Sequence, residues 1–174
     1  SYSERQTINL QQWLTQQQIT LERICHPYPF EIGVIEPISI TVNKALLERV
    51  IINLCANAKQ AIDQKVAHHS ESQESIPWPA QPTGHFIKVM VECLNKDEGF
   101  IANLSVKDSG IGMSEEVQAR ILEPYFTTKK TEGGSGLGLA SVWSFCERHG
   151  AFLDIESTPN EGSLFTIKFP STTT

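Results

Sequence analysis

Two glycine-rich turns constrain this chain more than anything else in it: Asp108-Ser-Gly-Ile-Gly-Met113 and Gly133-Gly-Ser-Gly-Leu-Gly-Leu139. The first follows Ile101 to Lys107, a stretch that reads as a strand. An aspartate that leaves a strand into two close glycines implies backbone at positive φ or in close approach to another surface. The second turn opens the apolar helical pattern of Gly136 to His149. Between them lies Glu123-Pro-Tyr-Phe-Thr-Thr-Lys129, which reads as a loop. Upstream, Asn53 and Asn57 are four residues apart and share one face of a helix.

The sequence has 174 residues, enough for one domain with a true core. Its net charge of −6 argues against nucleic-acid binding, which calls for a basic face; Lys129-Lys130 is only a local patch. No apolar run approaches the roughly 20 residues that span a bilayer, so no direct membrane contact is expected. Ser1-Tyr-Ser-Glu-Arg-Gln6 has no signal-peptide character. Residues 1–8 read as a linker or remnant, 9–170 as the domain, and 171–174 as a tail. Cys25, Cys55, Cys93 and Cys146 form no CxxC pair and read as reduced thiols of a cytoplasmic protein. The five histidines form no metal-ligand spacing.

Leu10, Trp13, Leu14, Leu21 and Ile24 recur at helical spacing and predict a helix over 9–24. Phe30 to Val34 and Ile38 to Val42 read as two short strands hinged at Glu36-Pro37. Asn43 is placed to cap a helix whose apolar stripe runs through Val50, Leu54, Ala58 and Ile62 to about Lys65. Residues 66–84 are polar and then proline-rich, and read as an exposed excursion. His85 to Leu94 and Phe100 to Lys107 predict a hairpin, as do Ala151 to Ser157 and Ser163 to Phe169. Ser114 is placed to cap a short helix. With three hairpins and about three helices, the chain is expected to be α+β. The architecture is a two-layer α/β sandwich, with a mixed, mostly antiparallel sheet covered by helices on one face.

The chemistry of these residues is consistent with a phosphate-bearing ligand. An asparagine amide oxygen is a hard neutral ligand, and magnesium takes one or two protein oxygens beside nucleotide phosphates. Asp108 is a carboxylate suited to accept a hydrogen bond from the exocyclic amine of a base; adenine and guanine both carry N–H groups. A glycine run at a helix start offers free N–H groups and the positive end of the helix dipole to anions. It is not a Walker A loop, and it does not follow a strand as a dinucleotide-binding turn would. Thr127, Thr128 and Lys129 supply hydroxyls and an ammonium that meet phosphate oxygens if their loop closes.

Together these segments resemble the ATP-binding catalytic domain of sensor histidine kinases, especially the nitrogen-regulation and hybrid types. That domain's Bergerat fold is shared with gyrase-type ATPases, heat-shock chaperones and mismatch-repair ATPases. Ile52-Asn-Leu-Cys-Ala-Asn-Ala58 is similar to the family's N box, and Asp108 to Gly112 to its G1 box. Glu123 to Lys129 is similar to the F box, and Gly134 to Leu139 to the G2 box.

The resemblance implies ATP and Mg2+ as ligands. Asn57 would bind the metal and Asp108 the adenine amine. Gly110 and Gly112 would shape the pocket, with Ala61, Ile111 and Met113 lining the base. Residues 126–135 would form the lid, with Phe126, Thr127, Thr128 and Lys129 at its start. Gly134, Gly136, Leu137, Gly138 and Leu139 would lie at the phosphates. Gln60 departs from members that carry a basic residue there, and Lys129 is assigned its role. Asn53 stands where hydrolytic relatives carry a glutamate base. An amide accepts no proton at neutral pH, which favours transfer over hydrolysis.

The implied activity is transfer of the γ-phosphoryl group to a histidine on a separate dimerisation domain, and from there to a response-regulator receiver domain. The chain alone is expected to be monomeric and its full-length protein a homodimer. The alternatives are a protein serine kinase of the same superfamily and a non-catalytic, ATP-responsive interaction domain.

Overall fold

The computed structural model describes residues 4–34, 37–72, 84–94, 99–121 and 137–171. The elements run β1 (Gln6–Asn9), α1 (Leu10–Cys25), β2 (Phe30–Val34), β3 (Ser39–Val42) and α2 (Lys44–Ser72). They continue with β4 (Ile87–Cys93), β5 (Phe100–Asp108), α3 (Glu115–Ile121), α4 (Leu137–His149), β6 (Phe152–Thr158) and β7 (Gly162–Pro170). Five strands form one sheet in the order β2-β4-β5-β7-β6. Only β2 and β4 pair in parallel; the other neighbours are antiparallel.

Side-chain alternation explains why helices cover one face. Along β5, Ala102, Leu104 and Val106 are buried, and they pair with Cys93, Val91 and Val89 of β4. On the other side they face Phe169, Ile167 and Phe165 of β7. All of these except Cys93 join Leu14 of α1, Ile51 and Leu54 of α2, and Val142 and Phe145 of α4 in one apolar cluster. The intervening positions, including Asn103, Ser105, Lys107 and Lys168, belong to the opposite face, where Ser105 and Thr166 hydroxyls meet at 3.2 Å. Because the pleat has period two, Asp108 falls on the same face as Val106, toward the helices.

The mixed two-layer sandwich expected from sequence is therefore present, with four helices among the described residues. Its first part differs. β2 and β3 do not form a hairpin: β2 is the sheet edge beside β4, and β3 pairs with β1 in a separate ribbon. Like residues oppose each other in that ribbon, Ile8 with Ile40 and Thr7 with Thr41, whose hydroxyls lie 3.1 Å apart. Residues from Gln6 onward are thus strand rather than linker. Asn9 then caps α1 by accepting the Gln12 N–H at 3.0 Å. Helix α2 continues past Lys65 to Ser72, because no glycine or proline interrupts residues 66–72. Residues 73–83 of the expected excursion lie outside the described residues.

Asn43 caps α2, accepting the Leu46 N–H at 3.1 Å. Its own backbone N–H donates to Nε2 of buried His149 at 3.0 Å, while Nδ1 of that ring lies 2.8 Å from the Phe145 carbonyl. Only a neutral imidazole, protonated at Nδ1, makes both bonds. Burial depresses the His149 pKa below its ordinary 6.5; the Phe145 bond opposes this, and the nearby charges of Arg5 and Arg148 add to it. The folded state therefore binds this proton less readily than the unfolded chain. Its contribution is complete above pH 6.5 and is lost as pH falls through the depressed folded value. His149→Gln keeps a donor and an acceptor but cannot titrate. Urea unfolding of this variant across pH should lose part of the wild-type decline in stability below pH 6.5.

Candidate functional site

The helix-facing end of β5 carries Asp108, which is 3% exposed. Its Oδ1 accepts the Gly110 N–H at 2.8 Å, and its carboxylate also accepts the Ser163 backbone N–H. Burial raises its pKa to about 6; the two backbone bonds and the charge of Lys65 oppose that rise. A carboxylate offers about four acceptor positions, so capacity remains after two amide bonds.

After Asp108 the chain is pressed onto α2. The Ile111 N–H donates to the Ala61 carbonyl at 2.9 Å. A Cβ at Gly110 would lie 2.6 Å from both the Cβ and the carbonyl carbon of Ala61, so only glycine allows this approach. Gly112 has φ +66, and a Cβ there would overlap the Thr158 carbonyl oxygen. Ala61 lies one helical turn beyond Asn57, so the joint brings the half-buried Asn57 to the same end of the sheet as Asp108. Asn53, one turn earlier, donates from Nδ2 to Ser141 Oγ of α4 at 2.9 Å and ties the two helices together.

Ile111 and Met113 are half-buried beside this joint. Leu137 and Gly138 supply backbone to the first turn of α4, and Leu139 is buried in the core. Phe126, Thr127, Thr128, Lys129, Gly134 and Gly136, with the whole span 126–135, lie outside the described residues.

A second layer under the turn was not evident in the sequence. Ser157 Oγ accepts the Met113 N–H at 2.8 Å and donates to the Gly162 carbonyl at 3.0 Å. Gln118 Nε2 donates to the carbonyls of Met113 and Ser157, both at 2.9 Å. The Asn160 N–H donates to the Ile111 carbonyl at 2.6 Å, with Asn160 at φ 65. Lys65 reaches the Ser109 carbonyl at 3.3 Å. The only sequence signal was the Thr158-Pro-Asn-Glu-Gly162 turn, and nothing in it shows where that turn docks.

The residues present fit a nucleotide. A buried carboxylate with spare acceptor capacity, glycines that bring backbone close, and an asparagine on the facing helix converge at one end of the sheet. The sequence matches the family described as histidine kinase-, DNA gyrase B- and HSP90-like ATPases over residues 42–173. The sensor histidine kinase ZraS of Klebsiella oxytoca is 36% identical over 124 residues, which is 71% of this chain and 22% of that protein. Among solved structures, the mycobacterial sensor histidine kinase MprB superposes with a TM-score of 0.69 at 21% identity, covering 96% of this chain and 97% of that one. Full-length ShkA in complex with AMPPNP gives 0.73 at 19% identity, over 98% of this chain and 32% of that one.

The chain belongs to the histidine kinase-, gyrase- and HSP90-like ATPase family. Within that family it is a catalytic ATP-binding domain of the sensor histidine kinase type. It spans between about a tenth and about a fifth of the length of the curated relatives it matches, 22% of one and 10% of another.

Gly112→Ala tests the turn itself. Left-handed backbone costs a non-glycine residue and the clash with Thr158 adds to it, so a loss of roughly 2–5 kcal/mol is expected in denaturant unfolding.

Proposed function

We propose that this chain binds Mg-ATP between α2 and the Asp108 turn and delivers the γ-phosphoryl group to a histidine of a helical dimerisation domain. The observation that carries this reading is the Ile111–Ala61 joint, which supports a shared site for Asp108 and Asn57. Asp108 accepts the adenine 6-amino group. Ala61, Ile111 and Met113 flank the base, and Gly110 and Gly112 let the backbone approach it. Asn57 holds magnesium, which neutralises phosphate charge when bound. The G2 glycines, with Thr127, Thr128 and Lys129, receive the phosphates as residues 126–135 close. The acceptor imidazole nitrogen forms the new P–N bond as the bridging P–O bond breaks and ADP departs with the electron pair. The imidazole's remaining N–H proton is released. Catalysis by this chain is positioning and charge neutralisation, because none of its own side chains becomes covalently bound.

Asn53 supports transfer over hydrolysis, since its amide is engaged with Ser141 and cannot take a proton from water. The phosphohistidine then serves a receiver domain. The working form is a homodimer through the acceptor helices, and the domain acts in the cytoplasm, where ATP is present. Among the described residues no helix is long and apolar enough to cross a membrane.

Asp108→Asn should weaken ATP binding by about 1.5–3 kcal/mol, as for a hydrogen bond to a charged group. Wild-type affinity should also fall as pH drops below about 6, where the carboxylate gains a proton. Calorimetry across pH measures both, and unchanged affinity in the variant removes Asp108 from the site.

The chain alone should bind Mg-ATP, hydrolyse it very slowly and not label itself. With an acceptor domain supplied, it should form an acid-labile, base-stable label that Asn57→Ala abolishes. Brisk hydrolysis by the chain alone would point instead to a gyrase-like ATPase. An acid-stable label would point to serine phosphorylation, and binding without any transfer to an interaction domain.

A further inference from the structure

Lys65 stands on α2 one turn beyond Ala61 and about 12 Å along the helix from Asn57. It is thus at the end of the proposed base pocket that lies away from the phosphates. Its side chain is half-buried, and its Nζ donates to the Ser109 carbonyl at 3.3 Å. Ser109 directly follows Asp108. Neither the base contacts nor the phosphate contacts use this ammonium.

The surroundings turn Lys65 toward the Asp108 segment. Asp63, two residues earlier on α2, is already engaged at both oxygens. Lys59 Nζ lies 2.8 Å from Oδ2, and the Tyr28 hydroxyl donates to Oδ1 at 2.5 Å. The ion pairs among the described residues, Lys59–Asp63 and Arg120–Glu116, do not include Lys65. Ser109 is fixed from the sheet side. Its Oγ accepts the Phe86 N–H at 2.8 Å, and its own N–H donates to the Phe86 carbonyl at 3.2 Å. The turn is therefore held between Phe86 and Lys65.

The charges around Asp108 single out this lysine. The Gly110 and Ser163 N–H groups offer dipoles to the carboxylate, not a full charge. Lys88 and Lys107 pair across β4 and β5 on the opposite face of the sheet. His85, just before β4, has its Nδ1 3.4 Å from Ser109 Oγ. Burial, then the charge of Lys65, hold its pKa below 6.5, against the opposing bond to Ser109, so its ring is neutral at neutral pH. Lys65 is the permanent cation beside Asp108, and it opposes the rise to about 6 that burial imposes on that carboxyl.

We propose that Lys65 is a positioning residue for base recognition: its ammonium, anchored on the Ser109 carbonyl, keeps the neighbouring Asp108 in the charged, acceptor form at neutral pH. This rests on the reading of Asp108 as the adenine contact and adds the group that lets that contact operate. A buried carboxyl favours its neutral form, which would present an O–H donor to the donating 6-amino group. An opposite charge nearby restores the carboxylate. Lys65 itself touches no part of the nucleotide.

The test combines calorimetric ATP affinity with the Asp108 carboxyl titration followed by carbon NMR. Lys65→Gln keeps a donor for the Ser109 carbonyl and removes the charge, whereas Lys65→Arg keeps both. Removing an opposite charge raises a carboxyl pKa, so in Lys65→Gln the Asp108 titration should move to higher pH. Its ATP affinity should fall about twofold or more at about pH 6.5, yet change by less than about 1.5-fold at about pH 8.5. Lys65→Arg should match the unsubstituted chain at both pH values. His85→Gln should keep the acid limb of the wild-type profile, because Asp108 is the group that titrates. An equal loss of affinity at both pH values, or an Asp108 titration unmoved in Lys65→Gln, overturns the proposal and leaves the nucleotide reading standing. If the titration moves but ATP affinity has no acid limb even in the unsubstituted chain, Asp108 is not the base contact. That reading then fails, and the role of Lys65 in recognition falls with it.

Discussion

The hydrogen bond from the Ile111 N–H to the Ala61 carbonyl is the joint on which the site depends. It crosses from sheet to helix at a point where no side chain could intervene, since Gly110 packs directly on Ala61. A strand end and a helix face are otherwise independent elements. Closing them at one backbone bond fixes the separation between a carboxylate on β5 and an amide on α2. An aspartate at the end of a central strand has no purpose in packing, and burial makes it costly. Its pKa near 6 expresses that cost, which the Gly110 and Ser163 N–H groups offset only in part.

The joint is itself braced. Ser157, Gln118 and Asn160 use backbone-directed hydrogen bonds to hold both ends of the Ile111–Met113 segment. This explains why the β6–β7 turn carries Asn160 and Gly162 at positive φ: the turn is shaped to fit beneath the glycine segment. On the far side, Asn53–Ser141 and Asn43–His149 bind α2 to α4 at two levels. The site is thus a hydrogen-bonded corner of three elements, α2, β5 and the β6–β7 hairpin.

Much of this was legible because it is local. The alternation of Ala102, Leu104 and Val106 announces β5 and its buried face; Asn43 and Ser114 announce helix starts. The placement of Asn53 and Asn57 on one helix face follows from spacing alone. What was not legible depends on pairing between distant segments. β2 and β3 are adjacent in sequence and read as a hairpin, yet β3 is matched by the Thr7-Ile8 pattern and β2 by β4. The final turns of α2 lack an apolar stripe, so periodicity falls silent where the helix continues. Cys25 and Cys55, distant in sequence, come together as hydrogen-bonded thiols between α1 and α2. The brace under the turn follows the same rule: small polar residues look like ordinary hairpin chemistry until the fold shows what they touch.

The central claim is that Asp108 reads the amine of an adenine held at this corner. The most direct measurement is calorimetric titration with ATP and with purine riboside triphosphate, which lacks the 6-amino group. The account predicts that the chain prefers ATP by about tenfold or more, and that Asp108→Asn largely removes the preference. Equal affinity of the unsubstituted chain for the two nucleotides would contradict it.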